Sequence, residues 1–168
     1  SEVILERSQL AVAATLPHAG VLALEALRVA AWRPRFSTEV DDKTIPHELD
    51  WMRSAVHLTK GCYRGQETVA KVHNLGHPPR RLVMLHLDGS ESVLPAEGDD
   101  VLLGEKTVGR VTSVALHHAF GPLALAVVRR MTDPAAVLAI PHDGTVVQAA
   151  QERLGTPSAR AAANGPVA

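Results

Sequence analysis

The residues best equipped for chemistry lie in one stretch, Lys60-Gly61-Cys62-Tyr63-Arg64-Gly65-Gln66-Glu67. Cys62 and Tyr63 are the only cysteine and the only tyrosine among 168 residues. The thiolate is the nucleophilic and ligating form of cysteine, and nearby cations favour it over the thiol. Lys60 and Arg64 flank Cys62 closely, so this spacing points to a reactive or ligand-facing sulfur. Gly61 and Gly65 permit backbone geometries closed to other residues and predict a tight loop that presents Cys62. Tyr63 adds a flat apolar ring with a phenol, suited to packing against a planar ligand or to an ordinary core position. The competing reading of Cys62 is an inert, buried small hydrophobe.

This stretch resembles the K-G-C-Y-x-G-Q-E signature of the YgfZ-type folate-binding proteins, relatives of the glycine-cleavage aminomethyltransferases. The likeness continues through Thr68-Val69-Ala70-Lys71 and, upstream, Thr44-Ile45-Pro46-His47-Glu48-Leu49. Downstream, Gly109-Arg110-Val111-Thr112-Ser113 is similar to the superfamily's G-x-V-T-S stretch. The resemblance implies an α+β fold. Residues 1–78 would be the C-terminal part of an aminomethyltransferase-like folate-binding domain and 79–150 a small antiparallel β-barrel; the Ala, Gly, Pro and Ser that dominate from Thr156 onward separately predict a disordered tail over 151–168. It implies tetrahydrofolate as cofactor, Cys62 as the catalytic residue, and Lys60, Tyr63, Arg64, Gln66, Glu67 and Arg28 facing the cofactor. The implied role is a folate-dependent accessory protein for iron–sulfur cluster assembly or repair that serves tRNA-modifying and other client enzymes. Its partners would be folate, the iron–sulfur client or assembly proteins, and an N-terminal half of the same protein. Two alternatives stand beside it: a tetrahydrofolate-dependent one-carbon transferase, and a module binding tRNA or protein through its basic segment. One departure bears on the transferase. Where the aminomethyltransferases carry R-[IL]-E-A-G, this chain reads Arg28-Val29-Ala30-Ala31-Trp32, with Ala30 at the acid position and Trp32 at the glycine.

Composition narrows the field without choosing a function. The chain is 46% hydrophobic and 21% charged with a net charge of −1, as expected of a globular protein with no global pull toward nucleic acid or membrane. A single cysteine excludes an internal disulfide and fits a reducing, cytoplasmic compartment. No apolar run approaches the ~20 residues of a membrane span. Structural zinc takes about four Cys or His ligands; His73 and His77 have suggestive spacing, but Gly76 and Pro78 interrupt them and no second cysteine exists. No metal site is expected. Neither a nucleophile elbow nor a phosphate-binding glycine loop appears.

The elements that must position the stretch follow from periodicity. Residues 2–16 suggest a strand entering a short helix, and Val21 to Trp32 a helix of strong formers stopped by Pro34. The chain begins inside an apolar stretch and reads as the C-terminal portion of a longer protein. Phe36 to Asp50 carries five carboxylates against Lys43 and, with Pro46 inside, predicts a solvated loop with a short turn or helix. Trp51 to Leu58 suggests a short helix or strand. Lys60 to Arg81 holds five cations against Glu67, an anion-attracting patch if the fold gathers them. Gln66 to Val72 predicts a helix, ended by Gly76 and Pro78-Pro79. Six short apolar runs with turn signals then follow, at 82–87, 100–103, 108–116, 123–128, 137–140 and 145–148. They predict a small antiparallel barrel or sandwich.

Overall fold

The computed structural model describes residues 4–90 and 92–152. Each of the six runs forms a strand: β1 Arg80–Leu87, β2 Asp100–Leu103, β3 Lys106–His117, β4 Gly121–Arg129, β5 Leu138–His142 and β6 Thr145–Glu152. They pair antiparallel in the order β1-β4-β3-β2-β5-β6, and β6 returns to β1 to close a barrel. Closure leaves no strand edge unpaired, which a sandwich of the same strands would not achieve. Glu152 pairs with Met84, so β6 runs past residue 150. The remainder of the expected tail lies outside the described residues.

The inner strands are apolar on both faces because both faces are covered. Val83 and Leu85 of β1 and Ala124 and Ala126 of β4 point into the barrel, where they meet Val101, Leu138 and Ile140. Leu82, Met84, Leu123 and Leu125 alternate outward to form a second core beneath the helices. Gly109 lets β3 lie close to β4, since a Cβ there would stand 2.4 Å from the Val127 carbonyl oxygen. A bulge follows between Val111 and Ser113. Thr112 donates to the Leu125 carbonyl at 3.1 Å, while Ser113 makes its hydrogen bonds with the helical layer. Re-aiming a side chain in this way is a common use of bulges.

That layer comprises α1 Leu10–Ala13, α2 Val21–Ala30, α3 Phe36–Glu39 and α4 Gln66–Leu75, with 3-10 turns at Arg7–Gln9, Pro46–Leu49 and Trp51–Arg53. The strand expected within residues 2–16 does not form among the described residues; a 3-10 turn leads directly into α1. The closed barrel offers no edge that such a strand could join. Trp51 to Leu58 yields only its 3-10 turn before irregular chain. α2 buries the small residues Ala26, Val29 and Ala30 and packs against β3 and β4. It ends in paired bonds from the Trp32 N–H to the Val29 carbonyl at 3.0 Å and from the Arg33 N–H to the Arg28 carbonyl at 3.1 Å. This termination normally places glycine in the left-handed region. Here Trp32 occupies it with φ of 54°, at the very position where the resembled motif carries glycine. The backbone conformation is kept at a steric cost of about 1–2 kcal/mol, while the indole packs on the outer core. No helix among the described residues is long and apolar enough to cross a membrane.

The acidic segment has the short helix and turn expected of it, Phe36–Glu39 and Pro46–Leu49, but two of its acids are not solvated. Glu39 and Glu48 are each 1% exposed. Glu39 accepts from the Ser113 hydroxyl at 2.5 Å, the Arg35 amide at 2.5 Å, the Thr38 hydroxyl at 2.7 Å and the Arg28 guanidinium at 3.3 Å. Arg80, on β1, donates to Glu48 at 2.8 Å and to Asp41 at 2.6 and 3.0 Å. Buried carboxylates persist only when cations and hydrogen bonds replace their lost water. The acids therefore work as a clip that fastens the helical layer to the barrel. Burial alone would raise the Glu39 carboxyl, but Ser113, the Arg35 amide, Thr38 and Arg28 together hold it below its ordinary range. The Arg80 guanidinium pulls the Asp41 carboxyl far down against a smaller opposing effect of burial, with Thr44 and the Lys43 amide adding to it.

Candidate functional site

After the Trp51–Arg53 turn the chain runs through bends and turns to Gly65, the cap residue of α4. Gly65 has φ of 81°, a left-handed geometry that reverses the chain into the helix, whereas Gly61 lies outside that region. One of the two glycines, not both, is the conformational hinge. Between them Cys62 is exposed, and the Lys60 ammonium lies 5.7 Å from the centroid of the half-buried Tyr63 ring, within the range of a cation–π contact.

A cavity of about 580 Å³ opens beside this loop. One wall is the end of the acidic segment, Asp42 to Pro46; another is Ala55, Val56 and His57; and Lys60, Tyr63, Arg64, Gly65, Thr68 and Val69 complete it. Tyr63 and Val69 give it apolar surface, and Lys43, Lys60 and Arg64 supply positive charge. Among the described residues none of these three cations, nor Asp42, has an ion-pair partner. Cys62 is not part of the lining, although its neighbour Tyr63 is.

The candidates named from sequence therefore divide. Lys60, Tyr63 and Arg64 come together on the cavity. Gln66 and Glu67 lie in the first turn of α4, outside the lining, where Glu67 complements the positive end of the helix. Arg28 is placed elsewhere. Its guanidinium is spent on Glu25, Glu39 and Ser113, the last at 2.7 Å, so its part is in the clip. Arg80 and Arg81 are also drawn out of the expected basic patch, Arg81 by the Thr132 carbonyl at 2.9 Å and the Gln151 side chain at 3.2 Å. Sequence reasoning missed Lys43, a lone cation in an acidic run. The signal was the neighbouring Asp41, whose carboxylate accepts the Lys43 amide at 3.0 Å in a turn typical of Asp. Beneath this wall both ring nitrogens of His47 are buried without hydrogen-bond partners, and its ring lies 6.2 Å from that of His73 on α4. Burial, and then the neighbouring imidazole, push His47 below the usual histidine pKa. No group of three His, Cys, Asp or Glu among the described residues is arranged to hold a metal ion.

Residues 80–154 match the glycine cleavage T-protein C-terminal barrel domain. An aminomethyltransferase of Rippkaea orientalis is 37% identical over 115 residues, which is 66% of this chain and 30% of that protein. A tRNA-modifying protein YgfZ of Colwellia psychrerythraea is 33% identical over 84 residues, 49% of this chain and 24% of that protein. The chain thus spans less than a third of either curated relative. The crystal structure of glycine cleavage system aminomethyltransferase T from Bartonella henselae shares the fold, with a TM-score of 0.66 at 18% identity over 81% of this chain and 38% of that one. The barrel of this chain is thus similar to the C-terminal barrel domain of glycine cleavage T-proteins, and its wider fold to that of a solved aminomethyltransferase.

Proposed function

We propose that this chain is part of a folate-dependent accessory protein that supports assembly or repair of iron–sulfur clusters in client enzymes, with the Cys62 thiol as its reactive group. The observation that carries this reading is the exposed Cys62 on a loop whose next residue, Tyr63, lines a cavity of about 580 Å³. That volume falls within the range of small-molecule sites. Tyr63 offers a planar ligand its ring, and Lys60 and Arg64 offer carboxylates their charge, so the residues present fit a folate. When bound, tetrahydrofolate supplies one-carbon chemistry on its reduced pterin. The chain's own part is to hold the ligand against Tyr63 and to keep Cys62 in water, open to a partner. The similarity to a tRNA-modifying protein YgfZ supports the accessory role. The similarity to an aminomethyltransferase supports the transferase alternative, against which stand Ala30 and Trp32 at the acid and glycine positions of the R-[IL]-E-A-G stretch.

The N-terminal half of the same protein is the proposed polypeptide partner. Besides its buried face and the Glu25–Arg28 pair, α2 leaves apolar side chains uncovered, with Leu24 62% and Leu27 55% exposed, and contiguous exposed apolar surface marks a contact face. The test of the functional reading is Cys62→Ala. This variant should keep the wild-type circular dichroism spectrum and melting temperature, yet fail to restore the activity of an iron–sulfur client in cells lacking the protein. Full restoration by Cys62→Ala would remove the thiol from the mechanism.

A further inference from the structure

We propose that the cavity beside the Cys62 loop is a binding site for a small, multiply charged anion, a polycarboxylate or a polyphosphate, held by Lys43, Lys60 and Arg64. The proposal rests on the geometry of charge around the cavity and needs no pterin, so it goes beyond the folate reading and can fail or stand without it.

Two segments that are separate in sequence supply the cations, Lys43 from one wall and Lys60 and Arg64 from another. Together with Asp42 they leave the lining at +3 − 1 = +2, counting the charged lysine, arginine and aspartate residues of that lining alone. Several arginines around the helical layer do have an acid beside them: Arg28 meets Glu25 and Glu39, Arg35 meets Glu25, Arg53 meets Asp50, and Arg80 of β1 meets Asp41 and Glu48. Among the described residues the three cations of the cavity have no such acid. Asp41, Glu39 and Glu48, the acids nearest Lys43 along the chain apart from Asp42, are already committed, Glu39 to Arg28 and the other two to Arg80.

Bringing like charges to one concave surface is unfavourable until an anion arrives, and concave walls concentrate the field they produce. The donor set also fits. Arg64 presents a planar fork that matches a carboxylate or phosphate, while Lys43 and Lys60 act as point charges. A ligand with two or three charges engages several of these cations at once, whereas a monovalent anion engages one and stays hydrated. The walls are wide enough for a molecule the size of citrate or pyrophosphate within the cavity volume.

The test is isothermal titration of the full chain with citrate, pyrophosphate and pteroic acid, at low and at physiological ionic strength. Citrate or pyrophosphate should bind, and whichever binds tighter assigns the anion as carboxylate or phosphate. Lys43→Gln and Arg64→Gln should each weaken that binding about tenfold, the loss expected of one charge-assisted contact. Lys106→Gln, an exposed cation on the barrel outside the lining, should leave it unchanged, and added salt should weaken it in the wild type. Circular dichroism of each variant confirms that the fold is intact. Absence of binding by both polyanions, or equal binding by wild type, Lys43→Gln and Arg64→Gln, overturns the proposal. If pteroic acid binds all three proteins equally while the polyanions fail, the folate reading stands and this one falls. Polyanion binding without pteroic acid binding supports this site and counts against folate on this chain.

Discussion

Arg80 and Arg64 bring the same guanidinium to the same basic stretch of sequence, and the fold gives them opposite surroundings. Arg80 is gripped by Asp41 and Glu48, the latter carboxylate fully buried. Arg64 is exposed on a cavity wall with no carboxylate partner among the described residues. The acidic segment passes between the two regions. Its Asp41 and Glu48 neutralise the barrel's arginine, while its Lys43 joins the uncompensated cations. The charges that fasten the two layers are used up inside the molecule, and those facing the cavity are left for something outside it. A local count of charge would have treated both groups alike.

The largest expected effect breaks the clip. Arg80→Ala strands Glu48 as an uncompensated buried carboxylate and should destabilise the protein by about 3–5 kcal/mol, the range for removing one partner of a buried pair. A urea denaturation midpoint measures it, and a loss within error of zero would mean that the clip contributes nothing.

Acidification should attack the clip more gradually. The Glu39 and Asp41 carboxyls lie below their ordinary values of 4.5 and 3.8 in the folded chain. The unfolded state therefore takes up protons first. Their stabilisation is complete above those values and is lost as pH falls through them toward the folded ones. His47 and His117 lie below their ordinary 6.5, in each case by burial first and a neighbouring histidine second. As bases held neutral in the fold, they too stabilise above that value and cost stability below it. Urea midpoints measured from pH 7.5 to pH 3 should fall in two stages, a shallow one beginning near pH 6.5 and a steeper one below about pH 4.5. A midpoint that is flat, or that rises on acidification, contradicts this sign.

The smallest effect sharpens the comparison from the other side. Arg64→Gln should leave the thermal midpoint unchanged within the equivalent of about 0.5 kcal/mol, because an exposed cation without a partner holds nothing together. A marked loss would show that Arg64 belongs to the fabric of the fold after all.

Much of the architecture was legible because its signals are local. Short apolar runs separated by turn signals announced the strands, and good helix formers stopped by Pro34 announced α2. Gly65 marked the start of α4, where a left-handed residue was needed. The long-range polar contacts were not legible, because Arg80 reaches Glu48 across 32 positions and Ser113 reaches Glu39 across 74. No window of sequence contains both partners. Trp32 was half legible: the motif marked the position as unusual, but only the backbone revealed that tryptophan takes the conformation reserved for glycine.

The amino-acid sequence by itself determined the strands, the main helices and the loop that carries Cys62, since each depends on residues a few positions apart and on the periodicity of burial. Tertiary structure decided that the strands close into a barrel, that Glu39 and Glu48 are buried, and that Arg28 and Arg80 are structural while Lys43, Lys60 and Arg64 share a cavity. Those outcomes depend on which distant groups meet when water is excluded, and an unpaired charge can be told from a paired one only after the chain has folded.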